Sequence, residues 1–236
     1  MAAFRRAIDL GADGIEFDVQ ATIDGGLVVI HDLSLERTTT GHGPVFAARL
    51  EEVRALDAGS WFSNEHAGEK VPTLSEVLTL DDIEFELELK GYGEPFVDRV
   101  LDAVRGAGVL ERVEFTGSNV ALLLLLKRRE PAAVVGMFST QQPAWMSDEV
   151  FEHHVAGVAE TSGAGVVHVR AACITPRIVD RLHELGTIVH ANDAVDAHDL
   201  RRAMASGADR LSTNDVALAK DIVRAEHHPA EPSNRP

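Results

Sequence analysis

Three short groups of residues have the types and spacing for ion and proton chemistry. The run GIEFDV, residues 14–19, carries Glu16 and Asp18 two apart in an otherwise apolar strand pattern. Alternate side chains of a strand share a face, so both carboxylates point one way while Ile15, Phe17 and Val19 point the other. Like charges that close oppose each other's ionisation unless something neutralises them. A hard divalent cation, Mg²⁺ or Ca²⁺, would do so because it takes oxygen ligands. The alternative is a surface strand with one wet acidic face. The run IEFELELK, residues 83–90, repeats the pattern with Glu84, Glu86, Glu88 and Lys90 on one face. Glu16, Asp18 and Glu88 are therefore candidate metal ligands, and Lys90 is a candidate for holding a phosphate oxygen. The third group is His31-Asp32, closing the apolar run LVVIH. A His beside a carboxylate suits general acid–base work, although a strand-end His also serves as a structural hydrogen-bonder.

These groups need a scaffold that aligns strands side by side. Strand patterns recur at 14–19, 27–31, 83–90, 113–116, 133–138, 166–170, 187–192 and 209–213, mostly separated by amphipathic stretches that end near Gly. Repeated β-α units imply a parallel sheet, and active sites of α/β barrels sit at the C-terminal ends of the strands. Glu88 and Lys90 would then lie at the mouth, with Glu86 deeper. LVVIH comes after its predecessor with only QATIDGG between them, too short a link for a crossover helix, so it reads as an added hairpin strand. Without it seven strands remain, one short of an eight-stranded barrel. The chain opens with MAAFRRAIDLGADG, a helix leading into a strand, so the first barrel strand is expected to be absent. The reading is thus α/β: a TIM (β/α)8 barrel over residues 1–222 with an extra hairpin strand. Residues 41–75 form an inserted active-site loop region, and 223–236 a disordered tail.

Composition narrows the function classes. The formal charge of −16 argues against nucleic acid, whose phosphates call for concentrated Lys and Arg. No apolar run reaches the ~20 residues that span a bilayer, and the single cysteine has no internal disulfide partner. A cytoplasmic location is the expectation, although a signal peptide lost with an N-terminal segment would change it. His153-His154 and His227-His228 lack a metal-binding spacing and read as surface and tail features. His168 reads as structural, Ser139, Thr140 and Gln141 as pocket-lining, and Trp61 and Phe62 as a wall of the site or a cap on the helix layer.

The run DLGADGIEFDVQATIDGGLVVIHDLSLERTTTGHGPV, continuing through LDAGSWF to GEKVPTLSEVL, resembles the glycerophosphodiester phosphodiesterase family, as do FELELK and, more loosely, GTIVHAND and GADRLSTND. The resemblance implies a TIM barrel that hydrolyses glycerophosphodiesters to sn-glycerol 3-phosphate and an alcohol. It places Mg²⁺ or Ca²⁺ on Glu16, Asp18 and Glu88. It matches Lys90 to the family lysine and His31 to one half of an acid–base pair. Trp61, from its place in the long loop rather than from the resemblance, is a further candidate substrate contact. The family begins with a strand bearing His-Arg-Gly and then a Glu-Asn-Thr segment, and MAAFRRA resembles the family residues immediately after that segment. Glu86 stands where the family often has Asn. Two other readings stay open: a non-catalytic relic that binds metal or phosphodiester, and a related barrel phosphodiesterase acting on lysophospholipids.

Overall fold

The computed structural model describes residues 1–227. Eight strands form at the expected runs: β1 (Gly14–Ala21), β2 (Leu27–Val29), β3 (Glu84–Leu89), β4 (Val113–Thr116), β5 (Val134–Phe138), β6 (Val166–Arg170), β7 (Ile188–Asn192) and β8 (Arg210–Leu211). Their order is β2-β1-β3-β4-β5-β6-β7-β8, with every neighbouring pair parallel except the β1–β2 hairpin. Seven parallel strands plus one hairpin strand is the arrangement that the spacing of the apolar runs implies. The chain forms two compact units that divide within β5, after Val135.

In the first unit, β1 and β3 pair in parallel with Glu16 opposite Glu86 and Asp18 opposite Glu88. Their other faces bury Ile15, Phe17, Val19, Phe85, Leu87 and Leu89. The rings of Phe17 and Phe85 meet edge to face at 6.0 Å, and Phe4 from helix α1 (Ala2–Asp9) meets Phe17 at 5.8 Å. This one-sided core fixes the register, since a one-residue slip would turn the carboxylates into it. The hairpin turn sits on Gly25 (φ +82°), where a Cβ would also collide with the Arg99 guanidinium.

Residues 41–75 are an ordered excursion with a small core of their own. A 3₁₀ turn (Val45–Ala47) precedes helix α2 (Leu50–Ala55), and a second (Asn64–His66) lies between α2 and helix α3 (Leu74–Val77). Val45, Val53 and Val71 bury against Val28, Ile30 and Leu35. Thr73 and Glu76 make a reciprocal capping box that starts α3: Thr73 N–H donates to Glu76 Oε2 (2.8 Å) and Glu76 N–H to Thr73 Oγ1 (3.2 Å). Arg54 ties this cap to α2 through Glu76 Oε1 at 2.6 Å. The next helices, α4 (Glu94–Ala107) and α5 (Val120–Arg129), bury the expected apolar stripes, and Gly108 ends α4 in the left-handed conformation. Among the described residues no helix is long and apolar enough to cross a membrane.

The second unit packs helices α6 (Asp148–Ser162), α7 (Pro176–Glu184), α8 (Ala197–Ala205) and α9 (Val216–His227) with β6 and β7 around a core that includes Phe151, Leu182, Val169 and Val189. Helix α9 corrects one expectation. Residues 223–227, assigned to the tail on sequence, continue the helix because no breaker interrupts the run before Pro229. The remainder of that tail, residues 228–236, lies outside the described residues.

Candidate active site at the ends of strands β1 and β3

The β1–β3 register brings three acids to one place. One carboxylate oxygen from each of Glu16, Asp18 and Glu88 lies within 4.8 Å of the others, close enough to share one ion. Asp18 is buried, Glu88 partly so and Glu16 exposed. Opposing Asp18 and Glu88 directly across a parallel pair is unfavourable for two bare anions. Burial raises the Glu88 pKa first; the Lys90 ammonium pulls it down, Asp18 pushes it up, and the net direction is upward. Lys90 Nζ lies 2.6 Å from Asp18 Oδ1 and 3.9 Å from Glu88 Oε2, and its backbone N–H is fixed on the Val19 carbonyl at 3.0 Å. An all-oxygen set of three acids, one held above its usual titration range by burial, fits a hard divalent cation.

The hairpin delivers His31 beside this group. Lys90 Nζ donates to the His31 carbonyl at 3.4 Å. Gln20 continues the Glu16–Asp18 face of β1, and its amide Nε2 donates to the carbonyls of Ile30 (2.8 Å), His31 (3.3 Å) and Asp32 (2.7 Å). His31 Nδ1 is 2.7 Å from Asp32 Oδ1. Hydrogen bonds from Arg37, and then from His31, hold the Asp32 carboxyl well below the usual carboxylate range. An ionised carboxylate only accepts, so Nδ1 carries the proton of that bond and Nε2 is the nitrogen left for exchange.

Sequence reasoning missed two of these participants. Gln20 was visible, since it lies at i+4 on the face already singled out. Arg37 had no such signal, because its role depends on a chain reversal rather than on strand period. Trp61 makes local contacts instead: its indole N–H donates to the Ala58 carbonyl at 3.0 Å and its ring meets Phe62 edge to face, with both rings exposed. The turn that presents it is tied by the Asp57 carboxylate, which accepts from the N–H groups of Gly59, Ser60 and Gly68. Gly59 is required there, since a Cβ would fall 1.8 Å from the His66 carbonyl oxygen.

In the second unit, His168 is fully buried, its ring 4.8 Å from Phe138 and 4.4 Å from His190. Thr140 is hydrogen-bonded to His154 Nε2 at 3.0 Å.

Residues 1–218 match the family model described as the glycerophosphoryl diester phosphodiesterase family. The chain belongs to that family. It is 34% identical over 230 residues to a glycerophosphodiester phosphodiesterase of Caldanaerobacter subterraneus subsp. tengcongensis, covering 95% of this chain and 91% of that protein. The fold is shared with a glycerophosphodiester phosphodiesterase structure from Agrobacterium tumefaciens str. C58 (TM-score 0.79, 27% identity, 93% of this chain and 91% of that one). It is shared also with an Oleispira antarctica phosphodiesterase solved with the product sn-glycerol-3-phosphate (TM-score 0.79, 21% identity, 94% and 90% covered). The α/β barrel fold class expected from the sequence is that of these structures.

Proposed function

We propose that this chain hydrolyses glycerophosphodiesters to sn-glycerol 3-phosphate and an alcohol, using a divalent cation held by Glu16, Asp18 and Glu88. The observation that carries the reading is the convergence of those three carboxylates with Lys90 at adjacent strands of a chain that belongs to this family. A bound Mg²⁺ or Ca²⁺ would supply Lewis acidity to the phosphodiester and favour the ionised form of the attacking glycerol hydroxyl. That attack on phosphorus would expel the alcohol and leave a cyclic phosphate, which water would then open to sn-glycerol 3-phosphate. Lys90 is placed to pair with a phosphate oxygen once such an ion neutralises the acids around it. His31, with Nδ1 engaged by Asp32, offers Nε2 for proton transfer to or from a substrate oxygen. Trp61 offers an exposed apolar ring on a braced turn as a wall for the alcohol group. The barrel itself runs through helix α9, to His227, in this reading, with 41–75 serving as the loop region beside the site.

The test is release of sn-glycerol 3-phosphate from glycerophosphocholine and glycerophosphoethanolamine, with lysophosphatidylcholine alongside. Metal-stimulated release from the first two supports the reading. Turnover of lysophosphatidylcholine alone, or of none of the three, contradicts it.

A further inference from the structure

Arg37 is a cation that the reaction scheme does not use, and it is bonded to Asp32, the partner of the proposed proton-transfer residue. Its guanidinium grips Asp32 with two prongs, Nε to Oδ2 at 2.5 Å and Nη2 to Oδ1 at 2.8 Å. The same Oδ1 accepts from His31 Nδ1 at 2.7 Å. One carboxylate thus links a planar fork to the imidazole, and a fork fixes the carboxylate's plane as a point charge does not. The segment carrying Arg37 is itself tied down. Leu35 is buried in the small core, and its N–H donates to the Gly43 carbonyl at 3.0 Å. Thr39 Oγ1 donates to the Leu35 carbonyl at 2.5 Å and accepts from Gly41 N–H at 2.9 Å. The other side of the His31-Asp32 peptide is held by Gln20, so both backbone and carboxylate are oriented from outside the pair.

We propose that Arg37 is a positioning residue for His31: its forked grip on Asp32 holds the carboxylate against Nδ1, which leaves Nε2 as the nitrogen that exchanges the proton. This rests on the reading of His31 as the proton-transfer residue. An isolated ion pair between half-exposed side chains contributes little to stability. The expected effect is therefore on the imidazole and on turnover, with the fold left intact.

The experiment combines ¹⁵N NMR of the His31 ring with steady-state kinetics on Arg37→Met, Arg37→Lys and His31→Ala. In Arg37→Met the Nε2–H tautomer of His31 is expected to gain population. Its kcat should fall by about 10- to 100-fold, the range for loss of a group that orients a site histidine, with KM within about twofold. Added guanidinium, well below denaturing concentration, should recover part of that loss. Arg37→Lys should recover little of it, since an ammonium cannot reproduce the fork. An unchanged tautomer with unchanged kcat overturns the proposal. A rise in KM alone also overturns it, because it would make Arg37 a substrate contact, and so does a collapse of the melting temperature, which would make Arg37 structural. If His31→Ala keeps full turnover, the role assigned to His31 falls. If His31→Ala is inactive while Arg37→Met behaves as wild type, only the role of Arg37 falls.

Discussion

Asp18 in the first unit and His190 in the second are almost equally buried, at 7% and 6% exposure, and each lies on a parallel strand. The two strands resolve the cost of an ionisable group in opposite ways. Asp18 sits among further charges, with the Lys90 ammonium at 2.6 Å and the carboxylates of Glu16 and Glu88 close by. His190 is kept uncharged: burial first, then His168 and Arg210, lower its pKa to about 2. Charge retained and counterbalanced gives a place where ions and phosphate can exchange partners. Charge suppressed gives a packed wall of rings. The proposed reaction uses the first of these arrangements.

The largest effect that would sharpen this contrast is on turnover. His31→Ala is expected to lower kcat by roughly 10²–10⁴-fold, the usual yield of general acid–base catalysis, with an unchanged melting temperature. A smaller loss, read in the same assay, would remove the chemical half of the comparison. Next comes a charge placed among the buried rings of the second unit. His168→Lys would put an ammonium among buried rings and is expected to cost about 3–5 kcal/mol, read by chemical denaturation. A well-folded variant of undiminished stability would show that this wall tolerates charge after all.

His190 contributes to the pH dependence of stability on the acid side of neutrality. Its folded pKa, about 2, lies below the ordinary 6.5, so between those values the unfolded chain binds the proton and the folded chain does not. The contribution of His190 is constant above about pH 6.5 and falls as pH drops below it, by up to about 1.4 kcal/mol per pH unit. Denaturation midpoints measured from pH 7 to pH 5 should show that slope, and His190→Leu should flatten it. A wild-type curve with no slope in this window would contradict the assignment. The smallest effect concerns scaffolding alone. Thr73→Ala removes a cap and should cost about 1 kcal/mol, with kcat and KM unchanged under conditions where the protein stays folded.

Much of this arrangement was legible in the sequence because strand period survives folding. Glu16, Asp18, Glu88 and Lys90 share faces by spacing alone, and the seven-residue link QATIDGG already excludes a crossover helix. The Thr73–Glu76 cap was legible in form, as Thr-x-x-Glu before an apolar run, although its tie to Arg54 was not. The features that escaped depend on non-local geometry. The pairing of His168 with His190 arises from the β6–β7 register. Arg37 reaches Asp32 only because residues 33–45 fold back on themselves, with Leu33 and Leu35 bonded to Val45 and Gly43. Trp61 drew attention as a large ring in a long loop, yet the turn around it is organised by Asp57, a small acid with no periodic signature.

The central claim is that the three acids at β1 and β3 exist to hold a divalent ion, and calorimetric titration of Mg²⁺ and Ca²⁺ tests it most directly. The wild-type chain, stripped with chelator, should bind one ion per chain, and Glu16→Gln, Asp18→Asn and Glu88→Gln should each abolish or strongly weaken that binding. Binding of the same affinity in all three variants, or none in the wild-type chain, would contradict the account.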